Sequence, residues 1–196
     1  MKKIVVFASG SGTNFQAIID TVVQKSIHAE ITGLITDNPD AAAIKRAQKN
    51  GIPFRVLRSA DYNDYQAYIF GLLNQLNEWK PDLIVLAGYL KKIPVEVIRL
   101  YENRIINIHP ALLPKYGGKG FYGMNVHRAV IAAGEKESGC TVHIVTEEYD
   151  KGPILAQMKV PVKKDDRPET LQQRILKQEH RLLPQVINKL LTQKQS

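Results

Sequence analysis

The 196-residue sequence has only one cysteine, Cys140, and no apolar run long enough to cross a bilayer. A single thiol cannot form an internal disulfide, and low cysteine content is typical of reducing compartments. A membrane-spanning helix needs about 20 apolar residues, and the apolar run at residues 4–8 is also too short for a signal peptide. The sequence therefore predicts a cytoplasmic protein without a membrane partner, whose residues 4–8 belong to a buried strand.

Clustered metal ligands and common nucleophile motifs are also missing. The sequence contains no His-x₃-His or Cys-x₂-Cys pair, so we expect no metal cofactor. It contains no Gly-x-Ser-x-Gly elbow, which disfavours a serine hydrolase. Cys140 follows a strand-like pattern and is interpreted as a small buried residue rather than a nucleophile.

The basic residues are in excess but are not concentrated in one tract. The chain has 27 lysines and arginines against 19 acidic residues, for a net charge of +8. No nucleic-acid motif accompanies them, so we expect no nucleic-acid partner. Small phosphate or carboxylate ligands explain this excess as well as a solvated surface does.

Short apolar runs alternate with segments of helical periodicity through the first half of the chain. We predict strands at residues 3–8, 31–36, 53–57, 83–87 and 104–108, and helices at residues 14–24, 41–50, 64–79 and 94–101. Pro94 is expected at the first position of its helix. The alternation predicts an α/β protein with a doubly wound, mainly parallel sheet.

The second half is expected to add a hairpin and a long helix to one domain spanning residues 1–196. We predict a helix at residues 126–133, hairpin strands at 140–146 and 154–160, and a final helix at 167–191. Asp165 or Asp166 is expected to cap the final helix. Pro184 should kink or divide it, because proline removes a helical hydrogen bond.

A glycine-rich loop, Ser-Gly-Ser-Gly-Thr-Asn, joins the first strand to the first helix. Such a loop directs N–H groups outward at a helix N-terminus, which favours a phosphate site at Gly10, Ser11, Gly12, Thr13 and Asn14. A plain strand-to-helix turn is the alternative. The dinucleotide motif Gly-x-Gly-x-x-Gly is excluded because residue 15 is Phe, and the nearby Asp37 is interpreted as part of an Asp-Asn-Pro-Asp turn.

A second group of polar residues follows the predicted fifth strand. Asn107 and His109 are two residues apart, so both side chains lie on one face of a strand, at the edge where ligands bind. An amide and an imidazole together suit the stabilisation of an oxyanion. Three acids, Glu147, Glu148 and Asp150, are candidates for holding the imidazole charged, and sequence spacing leaves the choice open.

Six motifs in order make the sequence similar to the folate-dependent formyltransferase family over nearly its full length. They are Ser-Gly-Ser-Gly-Thr-Asn at 9–14, Leu-Ala-Gly-Tyr-Leu at 86–90, Asn-Ile-His-Pro-Ala-Leu-Leu-Pro-Lys-Tyr at 107–116, Thr-Val-His-Ile-Val at 141–145, Asp-Lys-Gly-Pro at 150–153 and Gln-Glu-His at 178–180. The resemblance implies a Rossmann-like formyltransferase fold. It also implies formyl transfer from the cosubstrate 10-formyltetrahydrofolate to the amine of 5-phosphoribosylglycinamide.

The resemblance also assigns roles to individual residues. It implies Asn107, His109 and Asp150 as the catalytic trio, in which Asp150 keeps His109 protonated. It implies that the glycine loop binds the substrate phosphate and that Glu179 holds the ribose or amine side of the ribonucleotide. The resemblance also implies which residues bind the folate: Leu90, Lys91, Lys92, Ile93, Thr146, Glu147, Glu148, Tyr149 and Asp150.

Several alternatives stay open beside this assignment. Formyltetrahydrofolate hydrolases and methionyl-tRNA formyltransferases of the same family add a second domain, whereas we expect a single domain here. A non-catalytic nucleotide-binding module would need the glycine loop but not the trio. A homodimer is also left open, as are the roles of His127 and His143, although a structural role is favoured for His143.

The segment after the fifth strand is rich in glycine. Four glycines lie within residues 117–123 and allow the backbone unusual freedom. We therefore expect this segment to form a mobile cover or a ligand wall, and whether it closes as a lid is left open.

Overall fold

The first strand is β1 (Lys2–Phe7), and its residues 4–7 are apolar and buried because helices cover both sides of the sheet. The structure, a computed structural model, describes residues 1–192; the predicted domain's last residues, 193–196, lie outside this part. The remaining elements are α1 (Thr13–Val23), β2 (Ala29–Thr36), α2 (Ala42–Lys49), β3 (Phe54–Val56), a 3₁₀ turn (Ser59–Asp61), α3 (Tyr65–Trp79), β4 (Leu83–Leu86), α4 (Val95–Leu100), β5 (Ile105–His109), α5 (Met124–Ala132), β6 (Glu137–Ile144), β7 (Ile154–Pro161) and α6 (Pro168–Thr192).

These strands form a seven-stranded sheet in the order β3-β2-β1-β4-β5-β6-β7. Strands β1 to β5 run parallel, whereas β6 is antiparallel to β5 and pairs with β7 as a hairpin. The predicted doubly wound sheet with a C-terminal hairpin and long helix is therefore confirmed. The chain reverses its direction of winding between β1 and β4, which is where a doubly wound sheet opens a ligand crevice.

Alternate residues of β1 serve two separate cores. Ile4 and Val6 pack with α1, α2, α5 and α6, while Val5 and Phe7 pack with α3 and α4 on the other face. On that second side Trp79 covers β2 so closely that a Cβ at Gly33 would lie 2.3 Å from its ring. The sheet is thus held rigidly from both faces, which fixes the strand ends that carry the site.

Two local predictions about helix ends are wrong, and so is the predicted division of α6 at Pro184, whereas a kink there stays a prediction. Pro94 is the N-cap of α4 rather than its first residue. Helix α6 begins at Pro168, so neither Asp165 nor Asp166 caps it, and Asp166 binds the guanidinium of Arg174 instead. Pro184 does not divide α6, because buried residues on both sides of it hold the helix against the sheet.

Residues 1–192 contain neither a membrane-spanning helix nor a cluster of metal ligands. None of the helices described there is both long and apolar enough to cross a membrane. Nor do three or more metal-ligating side chains cluster anywhere in the same part of the chain.

Candidate active site

A cavity of about 460 Å³ opens beside the carboxyl ends of β1, β4 and β5. Its walls come from the loop after β1, the segment after β4, the end of β5, the loop after β6 and one face of α6. The cavity is therefore at the crevice that the winding of the sheet predicts. The predicted catalytic trio, the glycine loop and most of the predicted folate residues line it together.

The glycine loop is pressed against α2. Gly12 has φ +67°, and a Cβ there would lie 2.8 Å from Ala43. Arg46 of α2 donates its Nε–H to the carbonyl of Ser11 at 2.9 Å, and the N–H of Ala43 donates to the carbonyl of Gly10 at 3.1 Å. These bonds turn the loop carbonyls toward α2. Helix α1 starts directly afterwards, and the first N–H groups of a helix have no intrahelical acceptor, which suits an anion in the cavity.

Asn14 and Glu179 form a buried pair at the same end of the cavity. The Asn14 Nδ2 donates to Glu179 Oε2 at 2.7 Å, and the Asn14 Oδ1 is buried without a hydrogen-bond partner among residues 1–192. Burial raises the pKa of Glu179 to about 7, against the lowering effect of the Asn14 hydrogen bond. A buried carboxyl group and a free amide oxygen can bind the hydroxyl or amine groups of a ligand.

Asn107 on β5 is oriented by His143, its partner on β6. The register pairs the two residues directly, and the Asn107 Nδ2 lies 3.1 Å from His143 Nε2. The carbonyl of Ile144 accepts the Nδ1 proton of His143 at 2.9 Å, which fixes the ring beside Asn107. The contact with His143 holds the Asn107 amide, whose Nδ2 carries two N–H groups, so that one N–H remains for a ligand.

His109 is held between Tyr116 and Asp150. Its Nε2–H donates to the carbonyl of Tyr116 at 2.7 Å, which leaves Nδ1 facing Asp150 Oδ2 at 3.6 Å. Burial lowers the pKa of His109, although Asp150 and the Tyr116 carbonyl act in the opposite direction. Asp150 thus favours the charged imidazole, as predicted, but burial has the larger effect and the resting imidazole is more readily neutral than predicted.

Asp150 is at the centre of the polar cluster. Its Oδ2 accepts from the N–H of Gly118 at 2.8 Å, and its Oδ1 lies 3.4 Å from His143 Nε2. Burial alone would raise the pKa of Asp150, but the contacts with His143, His109 and Gly118 hold it below its ordinary value. Among the three candidate acids, Asp150 is the one beside His109. Glu148 lines the outer cavity, and Glu147 lies outside it, paired with Arg99 at 3.0 Å.

The predicted folate segments form the other half of the cavity. Leu86, Ile93, Ile98 and Val145 give it an apolar wall that suits a flat ring. All the predicted folate residues except Glu147 line the cavity: Leu90, Lys91, Lys92, Ile93, Thr146, Glu148, Tyr149 and Asp150. Across its mouth, Lys92 Nζ lies 5.6 Å from the ring centre of Tyr149.

Sequence reasoning missed part of this arrangement. His143, for which the sequence favours a structural role beside a neighbouring residue, contacts both Asn107 and Asp150, and its role stays a prediction. His127 is buried in the cavity wall with its Nδ1 unpaired, and burial together with the charge of His109 lowers its pKa to about 4. Only the register of β5 against β6 reveals these contacts of His143, and no local pattern encodes that register.

The formyl transferase family profile matches residues 2–187 of this chain. The chain therefore belongs to the formyl transferase family. The match covers all the residues described above, from the glycine loop to Glu179.

Individual relatives are similar over nearly the whole of this chain. The chloroplastic phosphoribosylglycinamide formyltransferase of Vigna unguiculata is 45% identical over 96% of this chain, which spans 61% of that relative's length. The phosphoribosylglycinamide formyltransferase of Bacillus subtilis (strain 168) is 39% identical over 97% of this chain and 95% of its own. The crystal structure of glycinamide ribonucleotide transformylase 1 from Geobacillus kaustophilus superposes with a TM-score of 0.90 at 40% identity, covering 97% of this chain and 99% of its own.

Proposed function

We propose that this protein transfers the formyl group of 10-formyltetrahydrofolate to the amine of 5-phosphoribosylglycinamide. The products are formylglycinamide ribonucleotide and tetrahydrofolate, in the synthesis of purines. The observation that carries the proposal is one cavity with Asn107, His109 and Asp150 between an anion-binding loop and an apolar slot. The similarity to phosphoribosylglycinamide formyltransferases supports the choice of substrates.

The two substrates enter from opposite ends in this proposal. The ribonucleotide phosphate binds at Gly10, Ser11, Gly12, Thr13 and Asn14, and Glu179 holds the ribose or amine side. The folate ring enters the slot between residues 90–93 and 146–150. The formyl carbon and the amine then meet beside Asn107 and His109.

Proton transfer follows from the resting state of His109. With Nε2–H bound to Tyr116, Nδ1 is the nitrogen free to accept a proton from the attacking amine. Once charged, His109 is stabilised by Asp150 and can donate to the oxyanion together with the free N–H of Asn107. The same proton is then passed to the departing folate nitrogen, so the histidine ends the cycle neutral.

A formylation assay tests this proposal. Purified protein, 10-formyltetrahydrofolate and the ribonucleotide should yield the formylated ribonucleotide, detected by mass spectrometry. Asn107→Ala should lower turnover by about 10²–10³, the penalty for one oxyanion donor. His109→Asn should lower it by about 10²–10⁴. Asn77→Ala, an exposed amide on α3, serves as the matched control and should be fully active.

The same assay distinguishes the alternatives. Release of formate without a formylated ribonucleotide would identify a folate hydrolase and reject the proposal. Tight ribonucleotide binding without any chemistry would identify a nucleotide-binding module. The cytoplasmic location, the single domain over residues 1–196 and the homodimer stay predictions.

A further inference from the structure

Ser9 directly precedes the glycine loop and uses all its polar groups inside the protein. It is 5% exposed. Its N–H donates to the carbonyl of Gly88 at 3.1 Å, and its carbonyl accepts from Asn38 Nδ2 at 3.1 Å. Its Oγ accepts from the N–H of Leu90 at 2.9 Å. One buried residue thus bonds to the backbone of the segment that follows β4 on both sides of Tyr89.

Asp37 sets the direction of the Ser9 hydroxyl. Because the N–H of Leu90 donates to Ser9 Oγ, the hydroxyl proton must go to another acceptor, and Asp37 Oδ1 takes it. Asp37 lies one residue after β2 in a turn, and its carboxylate is half-buried. Asp37 therefore accepts the hydroxyl proton of Ser9 from the Asp-Asn-Pro-Asp turn.

Ser9 therefore connects two candidate ligand-binding segments, the phosphate loop and the folate segment. Gly10 follows Ser9 in the candidate phosphate loop, and Leu90 begins the candidate folate segment. The side chains of Leu90 and Lys91 are exposed, so this segment is anchored through its backbone. A ligand that orders the phosphate loop also orders Leu90 through Ser9, and the second ligand then loses less conformational entropy on binding.

We propose that Ser9, oriented by Asp37, is a positioning residue that couples the phosphate loop to the folate segment, so that each ligand strengthens binding of the other. The inference rests on the function proposed above, because that function assigns the two segments to two ligands. By linkage, the coupling factor must be the same whichever ligand binds first.

Calorimetry with 5-phosphoribosylglycinamide and tetrahydrofolate tests the coupling, since this pair lacks a formyl group and cannot react. The measured quantity is the ratio of the tetrahydrofolate Kd without and with saturating ribonucleotide. We expect a ratio of about 5–150 for the unaltered protein, the usual range for coupled sites. Ser9→Ala and Asp37→Ala should bring it close to one. Asp37→Asn keeps an acceptor oxygen for the hydroxyl and should retain the ratio.

Two further measurements separate positioning from general damage. Single-turnover rates at saturation with both substrates should be roughly unchanged in Ser9→Ala while KM rises, because Ser9 does not touch the reacting atoms. Ser26→Ala, an exposed serine after α1, is the matched control and should change neither quantity. Asp37→Ala carries the test if Ser9→Ala does not fold.

The outcomes are distinct. A ratio of one in the unaltered protein, or a ratio that Ser9→Ala and Asp37→Ala leave unchanged, overturns the inference. Failure of the unaltered protein to bind either ligand alone rejects the proposed function, and the inference falls with it.

Discussion

Two opposing effects set the charge of His109, the residue on which the proposed chemistry depends. Burial disfavours the imidazolium, whereas Asp150 and the Tyr116 carbonyl favour it. The resulting low pKa makes the resting side chain a base, and the nearby carboxylate stabilises it once it has gained a proton. A group that must accept and then return one proton benefits from both effects.

Replacing Asp150 with Asn tests this balance without removing the loop contact. Asn retains an oxygen for the Gly118 N–H and tolerates the left-handed backbone of this position, φ +53°. The pKa of His109 should fall further below its ordinary value, because the only change beside it is the loss of a negative charge. An NMR titration of the His109 ring should show that fall, and turnover should decrease by about 10²-fold or more.

The double variant provides the control for this prediction. His109→Asn combined with Asp150→Asn should be less damaging than the product of the single effects, because both residues serve one proton transfer. Near-normal turnover of Asp150→Asn, together with an unchanged His109 pKa, would mean that Asp150 only shapes the turn and takes no part in proton transfer.

At the scale of elements, the site is built from loops on a rigid sheet. Residues 117–123 form the second part of the connection from β5 to α5, and they contact Asp150 where Gly117 packs against its side chain and the Gly118 N–H donates to Oδ2. Beyond it, Phe121 is fixed by its N–H bond to the Gly118 carbonyl and by an edge contact with Tyr116. Gly120 and Gly123 have positive φ and open space at the Cβ position, so neighbouring atoms do not restrain the backbone there.

Amide hydrogen exchange should therefore be slow at some positions of this loop and fast at others. We expect the amides of Gly118 and Phe121, which are both hydrogen-bonded, to be protected even without ligand, and the other amides of residues 119–123 to exchange quickly. Saturating folate or ribonucleotide should slow exchange at residues 119–123, because the loop lines the cavity. Slow exchange there that ligands do not change would show that the loop is a fixed wall.

The elements also show what the sequence could and could not predict. Apolar runs indicated β1 and β4 because a strand buried on both faces cannot carry polar residues. The two-residue spacing placed Asn107 and His109 on one face of β5. His143 and the Ser9–Asp37 bond depend on pairing between distant segments, which a local pattern does not contain. The continuity of α6 through Pro184 was not predicted for the same reason, because tertiary packing overrides the local effect of the proline.

At the scale of the whole molecule, two buried groups of the cavity make stability depend on pH with opposite signs. Burial, followed by the charge of His109, lowers the pKa of His127 to about 4. The neutral His127 ring therefore stabilises the folded protein fully above pH 6.5. This stabilisation is lost as pH falls toward 4, because the unfolded chain binds the proton more readily than the folded protein does. Burial raises the pKa of Glu179 to about 7. The protonated Glu179 carboxyl therefore stabilises the folded protein fully below pH 4.5. This stabilisation is lost as pH rises through 7, because the unfolded chain releases the proton at lower pH than the folded protein does.

A variant that lacks one of these two groups should therefore show the pH dependence of unfolding free energy that the other group causes. From pH 4 to pH 8, Glu179→Gln should gain about 3 kcal/mol of unfolding free energy relative to the unaltered protein, because the neutral amide avoids a buried charge. His127→Gln should change in the opposite direction, gaining a similar amount as pH falls from 6.5 to 4. Urea unfolding at several pH values measures both. The curve for Glu102→Gln, at an exposed position, should run parallel to that of the unaltered protein. A parallel curve for Glu179→Gln would mean that folding does not raise the pKa of Glu179.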